Sequence, residues 1–171
     1  DKFSFSIDTT YSYYNINGSL KFRSNFNDRN SMVFTTGYDE YGYDVLDTHK
    51  DIESYNLSFT IQQAFAKFKF KSLLGDKHTL NYGLSGTYYY LRPGMMLPYN
   101  IPGMEPSLVI PKILNTETGV EAAAYISDTW NMTESISADI GVRYSAFANL
   151  MPFTYYGGPE FRVSAKFLLS D

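Results

Sequence analysis

The sharpest pattern in the chain lies at residues 136–144. Ile136, Ala138, Ile140, Val142 and Tyr144 alternate there with Ser137, Asp139, Gly141 and Arg143. A strand of period two puts these sets on opposite faces. The apolar set ends in an aromatic, and the polar set carries both signs of charge. One face is therefore suited to an apolar medium and the other to water, as in the wall of a membrane barrel. The preceding stretch, 121–130, forms the other arm of a hairpin closed by a short turn at 131–134.

The same alternation recurs along the chain. Phe3, Phe5, Ile7, Thr9, Tyr11 and Tyr13 share a phase, and Ile16, Gly18, Leu20, Phe22 and Phe26 take the opposite one. Such a change needs a turn or a bulge. Asn17-Gly18 is a strong hairpin dipeptide, yet a single long strand bulged near Asn15 is the reading adopted. A polar turn at 27–30 leads to Met32, Phe34, Thr36 and Tyr38. Residues 39–54 then lose the alternation and read as a long surface loop. Tyr55, Leu57, Phe59 and Ile61 resume it, shifting phase after Gln62-Gln63 to Ala64, Ala66, Phe68 and Phe70. A short turn at 74–77 precedes Leu80, Tyr82, Leu84, Tyr88 and Tyr90. Residues 92–118 hold Pro93, Pro98, Pro102, Pro106 and Pro111, which oppose a regular ladder. A third loop is expected at 148–159. The last strand sets Phe161, Val163, Ala165 and Phe167 against Glu160, Arg162, Ser164 and Lys166.

Connections thus alternate between short and long, the asymmetry of outer-membrane barrels. The strands number seven, or eight if Asn17-Gly18 turns. Seven antiparallel strands cannot close up-and-down without a parallel seam. The expected fold is all-β, an antiparallel up-and-down transmembrane β-barrel of which residues 1–171 form about 7–8 strands. Leu168-Leu169-Ser170-Asp171 reads as entry into a further short turn.

Composition agrees with strands that meet lipid at every second residue. Aromatics are 18% of the chain, with 16 Tyr and 13 Phe but one Trp, while mean hydropathy is −0.27. An aromatic-rich soluble β-protein has a similar composition. No apolar run is long enough for a transmembrane helix. The net charge of −4 and the lack of a basic cluster argue against nucleic acid. With no cysteine there is no disulfide or thiolate chemistry.

Several segments resemble the TonB-dependent receptors of Gram-negative outer membranes, in the SusC-like branch usually preceded by a carboxypeptidase-like regulatory domain. They are NTETGVEAAAYISDTW at 115–130, IGVRYS at 140–145, and GPEFR at 158–162 with Ser164 and Lys166. RPG at 92–94, SLVIPK at 107–112 and SYYNIN at 12–17 also match. The resemblance covers most of the chain in order. It implies a 22-stranded barrel in the bacterial outer membrane, filled by a plug domain absent from these residues. It further implies energy-coupled nutrient uptake through TonB, outer-membrane lipid around the wall, and in some members a surface lipoprotein lid. The alternative is a self-contained eight-stranded barrel, either an outer-membrane structural protein or a lipocalin-like binder.

Candidate ligand-binding residues are the aromatics and methionines of the expected outer loops: Tyr41, Tyr43, Met95, Met96, Tyr99, Tyr155 and Tyr156. Flat rings and flexible thioethers suit apolar or sugar-like ligands, although girdle and packing duty is the commoner use. Asp139, Arg143, Arg162 and Lys166 are expected on the lumen face, toward the plug. Lys67, Lys69 and Lys71 share a face near a short turn. The carboxylates of 39–54 (Asp39, Glu40, Asp44, Asp47, Asp51 and Glu53) lack regular calcium-loop spacing, so no metal is expected. His49 and His78 fall at opposite ends of the expected topology and cannot serve one site. No catalytic triad, phosphate loop or paired-carboxylate cleft is found, so neither an enzyme nor a cofactor is expected. The N-x-S/T matches at Asn17, Asn56 and Asn131 carry no weight.

Overall fold

The computed structural model describes residues 9–168; the expectations for Phe3, Phe5, Ile7 and the last three residues lie outside them. Among the described residues there is one antiparallel sheet: β1 (Thr9–Asn27), β2 (Asn30–Asp47), β3 (Tyr55–Leu74), β4 (His78–Pro98), β5 (Lys112–Ile113), β6 (Glu117–Asn131), β7 (Ile136–Leu150) and β8 (Phe153–Phe167). The order is β1-β2-β3-β4-β6-β7-β8, with β5 paired to β4 beside that path. Successive strands are neighbours, so the topology is up-and-down. Among the described residues the sheet is not closed: β1 pairs only with β2, and β8 only with β7.

Local chemistry explains the short turns. Asn27 Oδ1 accepts from the Arg29 N–H at 2.9 Å and the Asn30 side-chain amide at 3.0 Å, an Asx turn that reverses the chain. Gly75 adopts φ +70° between β3 and β4, a conformation glycine takes without steric cost. The Asn17-Gly18 dipeptide does not turn. A two-residue turn of that type requires positive φ, and Gly18 has none, so the dipeptide lies within the single strand β1.

Three loop expectations are corrected. Residues 39–47 belong to β2, 92–98 to β4, and Phe153–Phe167 is one strand, leaving only Met151-Pro152 between β7 and β8. The long connections are therefore 48–54 and 99–116, and the expected third loop is a tight turn. Loop asymmetry holds for two of the three connections on that side.

The chain divides into two compact units. In the first (residues of Asp1–Asn17, Asp39–Gln63 and Tyr89–Thr118) the two loops are tied together. Ser54, with no exposed surface, accepts at its carbonyl from Tyr99 N–H at 2.9 Å and from Ser107 Oγ at 2.6 Å. Leu108 N–H reaches the carbonyl of Ile52 at 2.8 Å. The proline-rich segment is thus a strap fastened onto 48–54.

The second unit (Gly18–Tyr38, Ala64–Tyr88 and Gly119–Asp171) has a continuous ladder on β6, β7 and β8. β6 and β7 pair from Gly119↔Asn149 to Asn131↔Ser137, and β7 and β8 from Leu150↔Phe153 to Ile136↔Phe167, without a bulge. Faces are consequently coherent across strands. Ile126, Val142 and Phe161 lie in one row of the apolar face; Tyr125, Arg143 and Glu160 lie in one row of the polar face.

Only Val45 and Ala123 are buried hydrophobic residues among those described. A soluble chain of this length would withdraw most of its large apolar side chains from water. Here they stand on the surface in ordered rows, with Phe161 78% and Val163 77% exposed. That is the feature any functional reading must explain.

Candidate functional site

The apolar face of the second unit carries an aromatic run over three strands. Phe34 packs on Phe68 (ring centroids 4.5 Å), Phe68 on Phe70 (6.5 Å) and Phe70 on Tyr82 (5.1 Å). Offset rings at these separations attract beyond their area burial. Farther along the sheet, Tyr82, Leu84, Ala124, Ile126, Val142 and Tyr144 line a shallow apolar depression of about 490 Å³. Where this face meets the short turns, His78 Nδ1 lies 2.6 Å from Asp128 Oδ2, and its ring stacks on Trp130 at 5.6 Å and 14°. The sequence alone did not bring Trp130 and His78 together. Their meeting follows from the adjacency of β4 and β6 in the sheet, which the sequence does not display.

The polar face opposite is a hydrogen-bonded network. Arg143 and Glu160 are register partners, with Nε 3.9 Å from Oε1. Ser145 Oγ bridges them, accepting from Arg143 Nε at 2.9 Å and donating to Glu160 at 2.6 Å. Arg162 stands 4.0 Å from the same carboxylate. Asp139 accepts from Thr129 Oγ1 at 2.8 Å, so it and Arg143, though on one face, are held by different partners. Lys166 opposes Ser137 in the register. Glu160 and Ser145, which join the two arginines, were not singled out as site residues from the sequence; only the cross-strand register reveals their role.

Of the expected loop residues, Tyr41 and Tyr43 stand on β2, Met95 and Met96 on β4, and Tyr99 starts the strap. All five belong to the first unit. Tyr43 stacks between Tyr11 (6.4 Å) and Phe59 (6.1 Å), a ring shelf over three strands. Met95 and Met96 pair with Ile113 and Lys112. Tyr155 and Tyr156 belong to the second unit, on β8 and not in a loop. They point to opposite faces: Tyr155 meets Tyr144 hydroxyl to hydroxyl at 2.8 Å, whereas Tyr156 sits opposite Phe147 on the polar side.

The carboxylates of 39–54 have local partners. Asp39 accepts from Gln63, Asp47 from Thr9 and the His49 N–H, and Glu53 pairs with Lys50. Among the described residues no group of three His, Cys, Asp or Glu is placed to hold a metal ion. His49 and His78 fall in different units.

No protein-family model and no curated protein matches the chain. A solved structure does: BauA, the ferric preacinetobactin receptor from Acinetobacter baumannii. It superposes with a TM-score of 0.67 at 14% identity, over 92% of this chain and 28% of that one. Identity this low shows the fold alone. This chain shares that receptor's arrangement of antiparallel strands and spans about 28% of its length.

Proposed function

We propose that the chain is a wall segment of a TonB-dependent outer-membrane receptor of the SusC-like branch, serving energy-coupled uptake of a nutrient. The observation that carries this is the two-faced sheet without a core. Rows of Ile, Val, Phe and Tyr are exposed on one face, and charged residues are networked on the other. Water is a poor solvent for the first face, and lipid is a poor one for the second. The apolar face meets acyl chains and the polar face lines the interior, where a plug supplied by the rest of the receptor sits. The likeness to a receptor over 92% of the chain supports the same reading.

The sheet also favours a segment over a closed small barrel. β1 and β8 both have an open edge, and seven long strands in up-and-down order would close only through a parallel seam. Edges of this length pair with further strands. β3, with 20 residues, is roughly 68 Å long at 3.4 Å per residue, well beyond the 9–11 residues a membrane crossing needs. In this reading the first unit stands outside the bilayer. The Tyr11–Tyr43–Phe59 shelf, Tyr41, Met95, Met96 and Tyr99 there serve ligand capture or contact with a surface lid. We assign the chain no catalytic step.

Expressing the 171 residues alone in detergent tests the segment reading. The expected product runs at the same position on a gel with and without boiling. A compact, heat-modifiable species would establish the self-contained barrel instead.

A further inference from the structure

The polar face of the second unit holds a hollow of about 380 Å³ whose lining includes Arg23, Asn25, Lys69, Lys71, Asn81 and Tyr125. Every one of these side chains offers an N–H or O–H donor, and no carboxylate lines the hollow. The chain as a whole is acidic, at −4, so this is a local choice of residues and not general basicity.

The neighbouring hollow, about 310 Å³, shares Lys69 and Tyr125 but is balanced differently. It contains Asp139 beside Arg143 and Arg162, and Glu160 lies 3.9 Å and 4.0 Å from the two arginines. Lys67, the next cation along β3, rests over the Phe65 ring at 4.9 Å. By contrast, among the described residues Arg23, Lys69 and Lys71 have no ion-pair partner. Three like charges around one concavity repel one another, and a bound anion relieves that repulsion.

We propose that Arg23, Lys69 and Lys71 form a binding site for a compact soluble polyanion bearing two or more phosphate or carboxylate groups. The volume falls within the range of small-molecule sites. The planar guanidinium takes a carboxylate or phosphate edge in bidentate fashion, while the two ammoniums act as movable point charges. Asn25, Asn81 and the Tyr125 hydroxyl add neutral donors that fix orientation. The site is open to solvent, so its affinity falls as salt rises. It goes beyond the receptor reading and does not depend on it: loss of anion binding would leave the barrel assignment standing.

The test is calorimetric titration of the intact protein in nonionic detergent at low salt with inorganic pyrophosphate. Saturable one-to-one binding is expected. Lys69→Gln and Lys71→Gln each weaken it about tenfold or more, the loss of one charge-assisted contact. Lys69→Arg stays within a few-fold of the parent. Lys166→Gln, on the same face but outside both hollows, leaves Kd unchanged within about twofold. Absence of saturable binding overturns the proposal, and so does an equal loss in the Lys166 variant, which would show diffuse attraction. Binding of an oligoglutamate peptide without pyrophosphate would assign the face to an acidic polypeptide and overturn it too. Far-ultraviolet circular dichroism of each variant, matching that of the parent, confirms that the sheet has formed.

Discussion

Tyr144 and Tyr155 meet hydroxyl to hydroxyl at 2.8 Å on the apolar face, and Gly157 makes the contact possible. Tyr155 lies across Gly157 on the same face of β8, so a methyl group there would come within 2.5 Å of its hydroxyl. The pair satisfies two phenols that would otherwise be costly in an apolar medium. Gly157→Val is expected to destabilise the sheet by about 1–3 kcal/mol, the usual cost of overpacking. Tyr155→Phe is expected to cost about 1 kcal/mol. Adding Tyr144→Phe to Tyr155→Phe should cost little more, because the hydrogen bond is already gone. Urea titrations of the refolded protein in detergent or lipid measure all three; fully additive losses would refute the coupling.

The face assignment gives a sharper test. Val142, on the apolar face, and Ser127, on the polar face, occupy β7 and β6. Val142→Arg places a charge toward lipid and is expected to cost about 2–4 kcal/mol near the bilayer centre. Ser127→Arg points to the wet side, where the cost should be well under half of that. Equal penalties, read from folding titrations into lipid vesicles, would sink the two-faced membrane reading.

How legible was this in the sequence? The strands of the second unit were readable because one face is apolar over most of its length, so a slip by one residue would put nearly every side chain in the wrong medium. Turns with specific chemistry, such as Asn27 and Gly75, were equally readable. The extensions at 39–47 and 92–98 were not. There Asp, Tyr, Gly and Pro mix on both faces, and cross-strand contacts such as Gln63 to Asp39 stabilise β2 without any apolar alternation. Pro93 disguises a strand that its β5 partner still joins at Met95 and Met96. Of the candidate sites, the shared face of Asp139, Arg143, Arg162 and Lys166 followed from parity, but the Glu160 bridge and the His78–Asp128–Trp130 group depend on which strands are adjacent. Periodicity alone does not carry that information.

Fastening of the strap can be tested at Ser107. Its hydroxyl donates to the Ser54 carbonyl at 2.6 Å and also accepts from Val109 N–H at 3.3 Å. Ser107→Ala removes both and is expected to cost about 0.5–1.5 kcal/mol per bond locally. The consequence should be faster amide exchange and faster proteolytic cleavage within 99–116, with the global unfolding midpoint almost unchanged. Unaltered cleavage would mean that the Tyr99 and Leu108 backbone bonds hold the strap by themselves.

The last expectation uses the single tryptophan. Trp130 lies on the apolar face where β6 ends, 40% exposed and stacked on the ring of His78, whose Nδ1 contacts Asp128. On the membrane reading proposed above, this indole is expected at the membrane–water interface, where its ring meets acyl chains and its N–H meets water. With Trp130 kept as the sole indole, and any tryptophan outside these 171 residues replaced by Phe, fluorescence in vesicles reports this position directly. Lipids brominated close to the headgroup should quench Trp130 strongly, and lipids brominated near the chain ends weakly. Asp128→Ala should leave that depth profile in place, because Trp130 holds its own register position on β6. A spectrum like that of indole in water, insensitive to either lipid, would place Trp130 outside the bilayer and refute the interfacial position.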